Sequence, residues 1–454
     1  MKNLTLKTIL NVTGGILRAP SAEAFAAVEA AEICAVCTDS RAAAPGCLFT
    51  AICGARADGH DFVAETLEKG ALCALVERPV PGAAGCVIQV KDTVTALQRL
   101  AEFYRSGFPA LPLLGITGSV GKTTAKEMTA AVLSRRFCVH KTAGNFNNDL
   151  GVPLTLFGLR EEHSAAVVEL GVSHPGDMAR LARMARPTMA LLTNIGDAHL
   201  EFLGSRAGIL REKATVCDAL PADGAVFCNG DDPLLRELNC ARRVVTFGLG
   251  AGCDVRAEDV HTLPDGTTEC AILSGAARIP VRISAYGEHM IYAALAAAAV
   301  GLALGLTPAE IAEGIADYVP VGRRARLLHT GTLTVIDDCY NANPTSVASA
   351  LRSLSRWTGR RVCILGDMLE LGVAAEALHR ETGALAARCA DLVLTTGALA
   401  AQIAAGAGTK AHHFENRDAL LSALPTLLCP GDTVLVKASR SAHFEEITAA
   451  LETL

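Results

Sequence analysis

The chain carries one segment that admits few folds: Leu113-Leu114-Gly115-Ile116-Thr117 running into Gly118-Ser119-Val120-Gly121-Lys122-Thr123-Thr124. A short apolar run suits a buried parallel strand, and the helical pattern from Thr123 to about Ser134 begins directly after the glycine turn. Strand, glycine loop and helix in that order form an anion cradle. Glycines let successive backbone N–H groups converge, and the helix N-terminus adds about half a positive charge. Lys122 would reach the β- and γ-phosphates of a nucleotide, and the Thr123 hydroxyl would ligate Mg²⁺. The general pattern GxxxxGK[ST] places glycine where Ile116 stands, and Gly115 falls one residue early, so the loop is the shorter variant TGSVGKTT. The expected nucleotide-binding residues are Thr117, Gly118, Ser119, Val120, Gly121, Lys122, Thr123 and Thr124. Kinases, motors, switches and ligases all use such a loop, so it names no reaction.

Apolar runs at Ala165–Leu170, Met189–Thr193 and Gly224–Cys228 extend the same sheet, and an Ala-rich helix follows Tyr292. Before this block, strands at Ala71–Val76 and Cys86–Val90 and a helix near Thr93–Arg105 end at Phe108-Pro109-Ala110-Leu111-Pro112, a proline-rich linker. After it, Asp317-Tyr318-Val319-Pro320-Val321-Gly322 is a second hinge. Beyond the hinge, strands at Leu333–Asp337, Arg361–Leu365, Leu392–Thr395 and Thr433–Lys437 alternate with helices near Thr345–Arg356, Glu376–Cys389 and His443–Leu451, the signature of a doubly wound sheet. The 454 residues therefore divide into three α/β domains. They are a smaller N-terminal domain at 1–108, a central phosphate-loop domain with a mainly parallel sheet at 109–318, and a Rossmann-like domain at 319–454.

Composition excludes several classes. Lys plus Arg number 41 against 47 Asp plus Glu, a balance of −6 without the basic excess of a nucleic-acid binder. The uncharged stretch Met290–Ala309 is rich in Ala and Gly and closes at Pro308, so it reads as a buried helix rather than a membrane span. The first residues lack the apolar core of a secretory signal, so a cytoplasmic location and reduced thiols are expected for the 16 cysteines. Cys34 and Cys37 lie in a strand-like ICAVCT without the second pair that a zinc ribbon needs, and they read as buried small apolar side chains.

Two residues at strand ends add chemistry. Glu169 ends AAVVEL, and His199 sits in the turn IGDAHL beyond MALLTN. Ligands of open parallel sheets gather at the carboxyl ends of strands, so an acid and an imidazole beside the phosphate loop could hold metal.

With these residues in place, the chain resembles the Mur ligase family over nearly its whole length. These are ATP-dependent enzymes that form amide bonds in peptidoglycan precursor synthesis. The resemblance implies two Mg²⁺ ions held by Thr123, Glu169, His199 and a carbamylated lysine, which falls on Lys213. A carbamate converts a cation into an oxygen ligand that hard Mg²⁺ accepts. It further implies catalytic roles for Lys122, His199, Lys213 and Arg323, with Arg323 on the transferred phosphoryl group. Asp338 would hold the ribose and His289 would pack on the base, although the asparagines usual nearby are Met290 and Ala293 here. The segments Gly144-Asn145-Phe146-Asn147-Asn148 and Tyr340-Asn341-Ala342-Asn343-Pro344 resemble the branch that adds D-alanyl-D-alanine to UDP-N-acetylmuramoyl-tripeptide. Asn145, Asn147, Asn148, Tyr340, Asn341 and Asn343 would then contact substrate. Ser40, Arg41 and Asp58 resemble the uridine-diphosphate-sugar site. The implied partners are those small molecules and ATP, for a monomer with no nucleic acid and no membrane insertion. A sister ligase adding another residue, and a non-catalytic nucleotide switch, stay open on the residues alone.

Overall fold

The computed structural model describes residues 1, 3–26, 28–263 and 266–454. Among the described residues three sheets follow one another along the chain. The first has the spatial order Ile16–Arg18, Cys86–Gln89, Cys73–Val76, Leu48–Thr50, Val36–Cys37. Its pairs are parallel except for the Ile16–Arg18 edge. Of the two cysteines read as buried, only Cys37 is; Cys34 is exposed because the strand shrinks to Val36–Cys37.

The central sheet has nine strands among the described residues. Its parallel part runs Val139–Lys141, Ala165–Glu169, Leu113–Thr117, Met189–Leu192, Ala225–Asn229, Arg243–Gly248 and Val255–Thr262. Leu113–Thr117 and Ala165–Glu169 are buried throughout, as expected of strands covered on both faces. The far edge is an antiparallel meander, Val255–Thr262, Thr268–Ser274 and Ala277–Ile283, absent from the sequence reading. On Ala277–Ile283 the buried residues Ile279, Val281 and Ile283 alternate with exposed Arg278, Pro280 and Arg282, the period-two pattern of a half-covered strand.

The helix Glu288–Ala303 packs against the phosphate-loop helix Lys122–Leu133, with Met290 and Ala293 through Gly301 buried. Among the described residues no helix is long and apolar enough to cross a membrane.

The third sheet is Arg326–His329, Thr334–Asp337, Thr433–Lys437, Arg361–Leu365, Leu392–Thr396, Ala411–Phe414. The strict βα alternation read from the sequence therefore has an exception at its start. Arg326–His329 pairs antiparallel with Thr334–Asp337 across a short connection, too short for the crossover that a parallel pair needs.

Candidate active site

A cavity of about 620 Å³ opens between the central and C-terminal sheets. Its floor is the phosphate loop. Gly118 has φ +147°, and a Cβ there would lie 1.9 Å from Thr193 Oγ1, so only glycine lets the loop seat against the neighbouring strand end. Gly121, at φ +80°, turns the chain into the helix. Asn194 clamps the loop from the next strand, accepting from Ser119 N–H at its carbonyl (3.0 Å) and from Val120 N–H at its side chain (2.9 Å). Lys122 Nζ donates to the Gly118 carbonyl at 2.7 Å. Desolvation lowers the Lys122 pKa; Glu169 acts against this and Arg324 with it.

Glu169 links three elements. Its Oε2 accepts from the Thr123 hydroxyl at 3.0 Å, its Oε1 from Asn147 Nδ2 at 2.7 Å, and its own N–H donates to Thr142 Oγ1 at 3.0 Å. Hydroxyl and carboxylate oxygens side by side above a phosphate loop are the hard donor set that suits Mg²⁺, which completes its shell with phosphate oxygens and water. Among the described residues no three His, Cys, Asp or Glu side chains converge as ligands. Such an ion would therefore rest on few protein groups.

Lys213 is fully buried, and its Nζ has no hydrogen-bond partner among the described residues. Burial, reinforced by the Lys122 charge, pulls its pKa well down, which favours the neutral amine. As an amine or ammonium it cannot serve as an oxygen ligand. As a carbamate it would have both the right donors and the partners the orphaned nitrogen lacks.

The C-terminal wall comes from the loop after Thr334–Asp337. Asn343 caps the helix Pro344–Leu354 by accepting from Ser346 N–H at 2.9 Å, with Pro344 at the first helical position. Asp338 Oδ2 lies 2.6 Å from Lys437 Nζ, which also donates to the Asn341 carbonyl at 3.0 Å. The Arg324 guanidinium stacks 3.7 Å from the centroid of Tyr340.

Most expected residues meet in this cavity. Ser119 to Thr124, Asn145, Asn147, Asn148, Glu169, His199, His289, Asp338, Tyr340, Asn341 and Asn343 all line it. Several do not. Thr117 and Gly118 lie beneath the floor, and Lys213 lies outside the lining. Ser40 and Arg41 lie in a 3-10 turn and Asp58 caps another beside the N-terminal sheet, where Arg41 pairs with Asp39, and Asp58 with His60 and Arg78. Asn148 spends its side-chain oxygen on Leu150 and Gly151 N–H groups. Arg323 turns away: its Nη1 lies 2.9 Å from Oδ2 of the fully buried Asp337, and its neighbour Arg324 faces the cavity instead. Met290 is buried in the helix core away from the cavity, whereas Ala293 on the same helix is buried and lines it. The sequence reading missed Asn194, Arg324 and Lys437. The turn Thr193-Asn194 at a strand end carried the signal for Asn194, whereas nothing local separates Arg324 from Arg323.

Comparison with known proteins places this geometry. Residues 116–301 match the Mur ligase middle domain, 323–440 the Mur ligase glutamate ligase domain and 32–105 the Mur ligase catalytic domain. A UDP-N-acetylmuramoyl-tripeptide–D-alanyl-D-alanine ligase of Bacillus subtilis is 38% identical over 98% of both chains. The chain belongs to the Mur ligase family. An Escherichia coli ligase of the same name is 39% identical, covering 92% of this chain and 93% of that one. Among solved structures, a MurF from Acinetobacter baumannii superposes with a TM-score of 0.92 at 33% identity over 99% of both chains. A MurF ligase from Thermotoga maritima in complex with ADP gives 0.84 at 29% identity, covering 92% of this chain and 97% of that one. The three-domain α/β architecture of this Mur ligase is thus that of solved MurF structures.

Proposed function

We propose that this Mur ligase joins D-alanyl-D-alanine to UDP-N-acetylmuramoyl-tripeptide, using ATP and passing through an acyl phosphate. The products are UDP-N-acetylmuramoyl-pentapeptide, ADP and phosphate, a step of peptidoglycan precursor synthesis and hence of cell-wall growth. The observation that carries this reading is the joint cavity. A phosphate loop forms its floor and the Tyr340–Asn343 segment its wall, in a chain 38% identical from end to end to a ligase of that name.

In the first stage a carboxylate oxygen of the tripeptide attacks the γ-phosphorus and the bond to the ADP oxygen breaks. Both reactants are anions, and at 4 Å in a protein environment their repulsion is about 4 kcal/mol. Lys122 and Arg324 bring positive charge to that meeting point, and the loop N–H groups receive the phosphate oxygens. Mg²⁺ bound at Thr123 and Glu169, with a second ion at His199 and a carbamylated Lys213, would supply further charge neutralisation. The carbamate forms when the neutral Lys213 amine adds to CO₂ and releases a proton. In the second stage the dipeptide amine attacks the acyl carbon, loses its proton, and phosphate departs. Enclosure between the two sheets keeps water from the acyl phosphate. The three units at 1–108, 109–318 and 319–454 would then carry sugar nucleotide, ATP and dipeptide, turning about Pro320–Gly322 within a monomer.

The decisive assay offers the tripeptide nucleotide, ATP and D-alanyl-D-alanine and measures phosphate release together with amide product. Ligation of a single amino acid in preference to the dipeptide would move the chain to a sister activity. Nucleotide binding without any amide would end the reading.

A further inference from the structure

Lys126 lies on the phosphate-loop helix one turn beyond Lys122, and its side chain is fully buried. Its Nζ donates to the Thr142 carbonyl at 2.7 Å and to the Gly144 carbonyl at 3.3 Å, and sits 3.0 Å from Glu127 Oε1. Glu127 in turn pairs with Lys141, the last residue of strand Val139–Lys141. A buried cation is costly to desolvate, and a packed apolar side chain would hold two helix faces together at least as well. What an apolar side chain cannot do is grip backbone carbonyls.

The gripped backbone leads directly to the reacting end of the cavity. Thr142 holds the Glu169 N–H through its hydroxyl, and three residues beyond Gly144 the Asn147 amide holds Glu169 Oε1. Asn147 also accepts from the Gly171 N–H at 2.8 Å, closing the strap over the strand end. The other Glu169 oxygen takes the Thr123 hydroxyl, from the same helix that bears Lys126. One helix therefore holds the carboxylate directly through Thr123 and indirectly through the strap that Lys126 anchors.

We infer that Lys126 is a positioning residue: its ammonium fixes the 142–148 strap at a set height above the phosphate loop, registering the peptide-facing asparagines and Glu169 against the nucleotide. The inference rests on the ligase reading above. It predicts a split between substrates. Nucleotide binding depends on the loop glycines, Asn194 and Lys122, which Lys126 does not touch. Acceptor binding depends on the strap.

The test compares wild type with Lys126→Arg, Lys126→Gln and Lys126→Met, measuring the ADP dissociation constant, KM for UDP-N-acetylmuramoyl-tripeptide, kcat and the thermal midpoint. Arginine keeps charge and reach, so its KM stays within about threefold of wild type, whereas glutamine raises KM by about tenfold and methionine by more, the scale of a misplaced positioning group. The ADP constant stays within about twofold throughout. If methionine prevents folding, arginine and glutamine decide the matter by the same criteria. An unchanged tripeptide KM in the folded variants overturns the inference, as does an ADP constant that worsens in step with KM, which marks general loosening. A wild type that binds ADP but forms no pentapeptide overturns the ligase reading itself.

Discussion

His199 Nδ1 and Glu370 Oε2 lie 2.6 Å apart, one from the central domain and the other from the C-terminal domain. The backbone repeats the contact, since Glu201 N–H donates to the Glu370 carbonyl at 3.2 Å. Both residues hold left-handed backbone, φ 61° and 62°, which non-glycine residues adopt only where the surroundings enforce it. The imidazole expected to serve a metal is therefore also part of the junction between two sheets. Glu370→Gln removes the charge and keeps the shape, so turnover should fall by about tenfold while ADP affinity stays put; turnover matching wild type would remove Glu370 from the closure. The His199 imidazole against its carboxylate lowers the Glu370 pKa. Its contribution to holding the domains is thus present above about pH 4.3 and disappears as pH falls through the lowered folded value.

Lys122 Nζ holds the Gly118 carbonyl at the floor of the cavity. Lys122→Ala should cut acyl phosphate formation by about 10³-fold or more, since phosphoryl transfer depends on positioned charge. ADP production per enzyme in a single-turnover experiment measures this, and near-normal turnover would refute the role.

The adjacent arginines should separate cleanly. Arg323→Ala removes the ion-pair partner of buried Asp337, which keeps its contacts with Cys339. It should lower stability by about 2 kcal/mol, less than a fully buried pair because Arg323 is partly exposed, with a matching loss in thermal midpoint. Arg324→Ala touches no carboxylate among the described residues, so the midpoint should hold while kcat falls by about 100-fold. Denaturation and kinetics on both variants check the assignment; the reverse pattern would restore Arg323 to the phosphoryl group.

Lys213→Gln should preserve the fold and reduce kcat by about 100-fold, in the range seen when metal-site partners are lost. A carbonyl signal in ¹³C spectra of wild type supplied with labelled bicarbonate, absent from the variant, reports the carbamate without reference to activity. No such signal in active enzyme would exclude the modification.

His379 is fully buried, accepting the Met368 N–H at Nε2 (2.9 Å) and facing the Ala375 carbonyl with Nδ1 (2.6 Å). It supports the loop that carries Glu370. Burial lowers its pKa, so its stabilising effect is present above about pH 6.5 and is lost as pH falls through the folded value. His379→Leu should flatten that part of the stability–pH curve; a curve of unchanged slope between pH 5 and 7 would count against it.

Strand Leu113–Thr117, strand Arg361–Leu365 and strand Thr433–Lys437 coincide with the apolar runs read from the chain. Strands buried on both faces announce themselves by continuous hydrophobicity. The meander strands Val255–Thr262 and Ala277–Ile283 did not, because one face is solvated and leaves no continuous apolar run, and Val255–Thr262 adds a register shift between Glu258 and His261. The site divides along the same line. The loop from Ser119 to Thr124 was legible because its chemistry depends on neighbours in sequence, and Glu169 because it ends a continuous apolar strand. Arg324 and Glu370 were not, because their roles come from partners far along the chain.

The amino-acid order alone determined the three α/β blocks, the strand-to-helix anion cradle and the acid at the adjacent strand end, since apolar periodicity and glycine torsions act over a few residues. Tertiary structure alone decided which of two neighbouring arginines faces the cavity and which residue meets His199. It also left the buried Lys213 without a hydrogen-bond partner among the described residues. Those outcomes depend on where a distant chain segment places a buried charge or an unpaired carboxylate, and no local pattern encodes that placement.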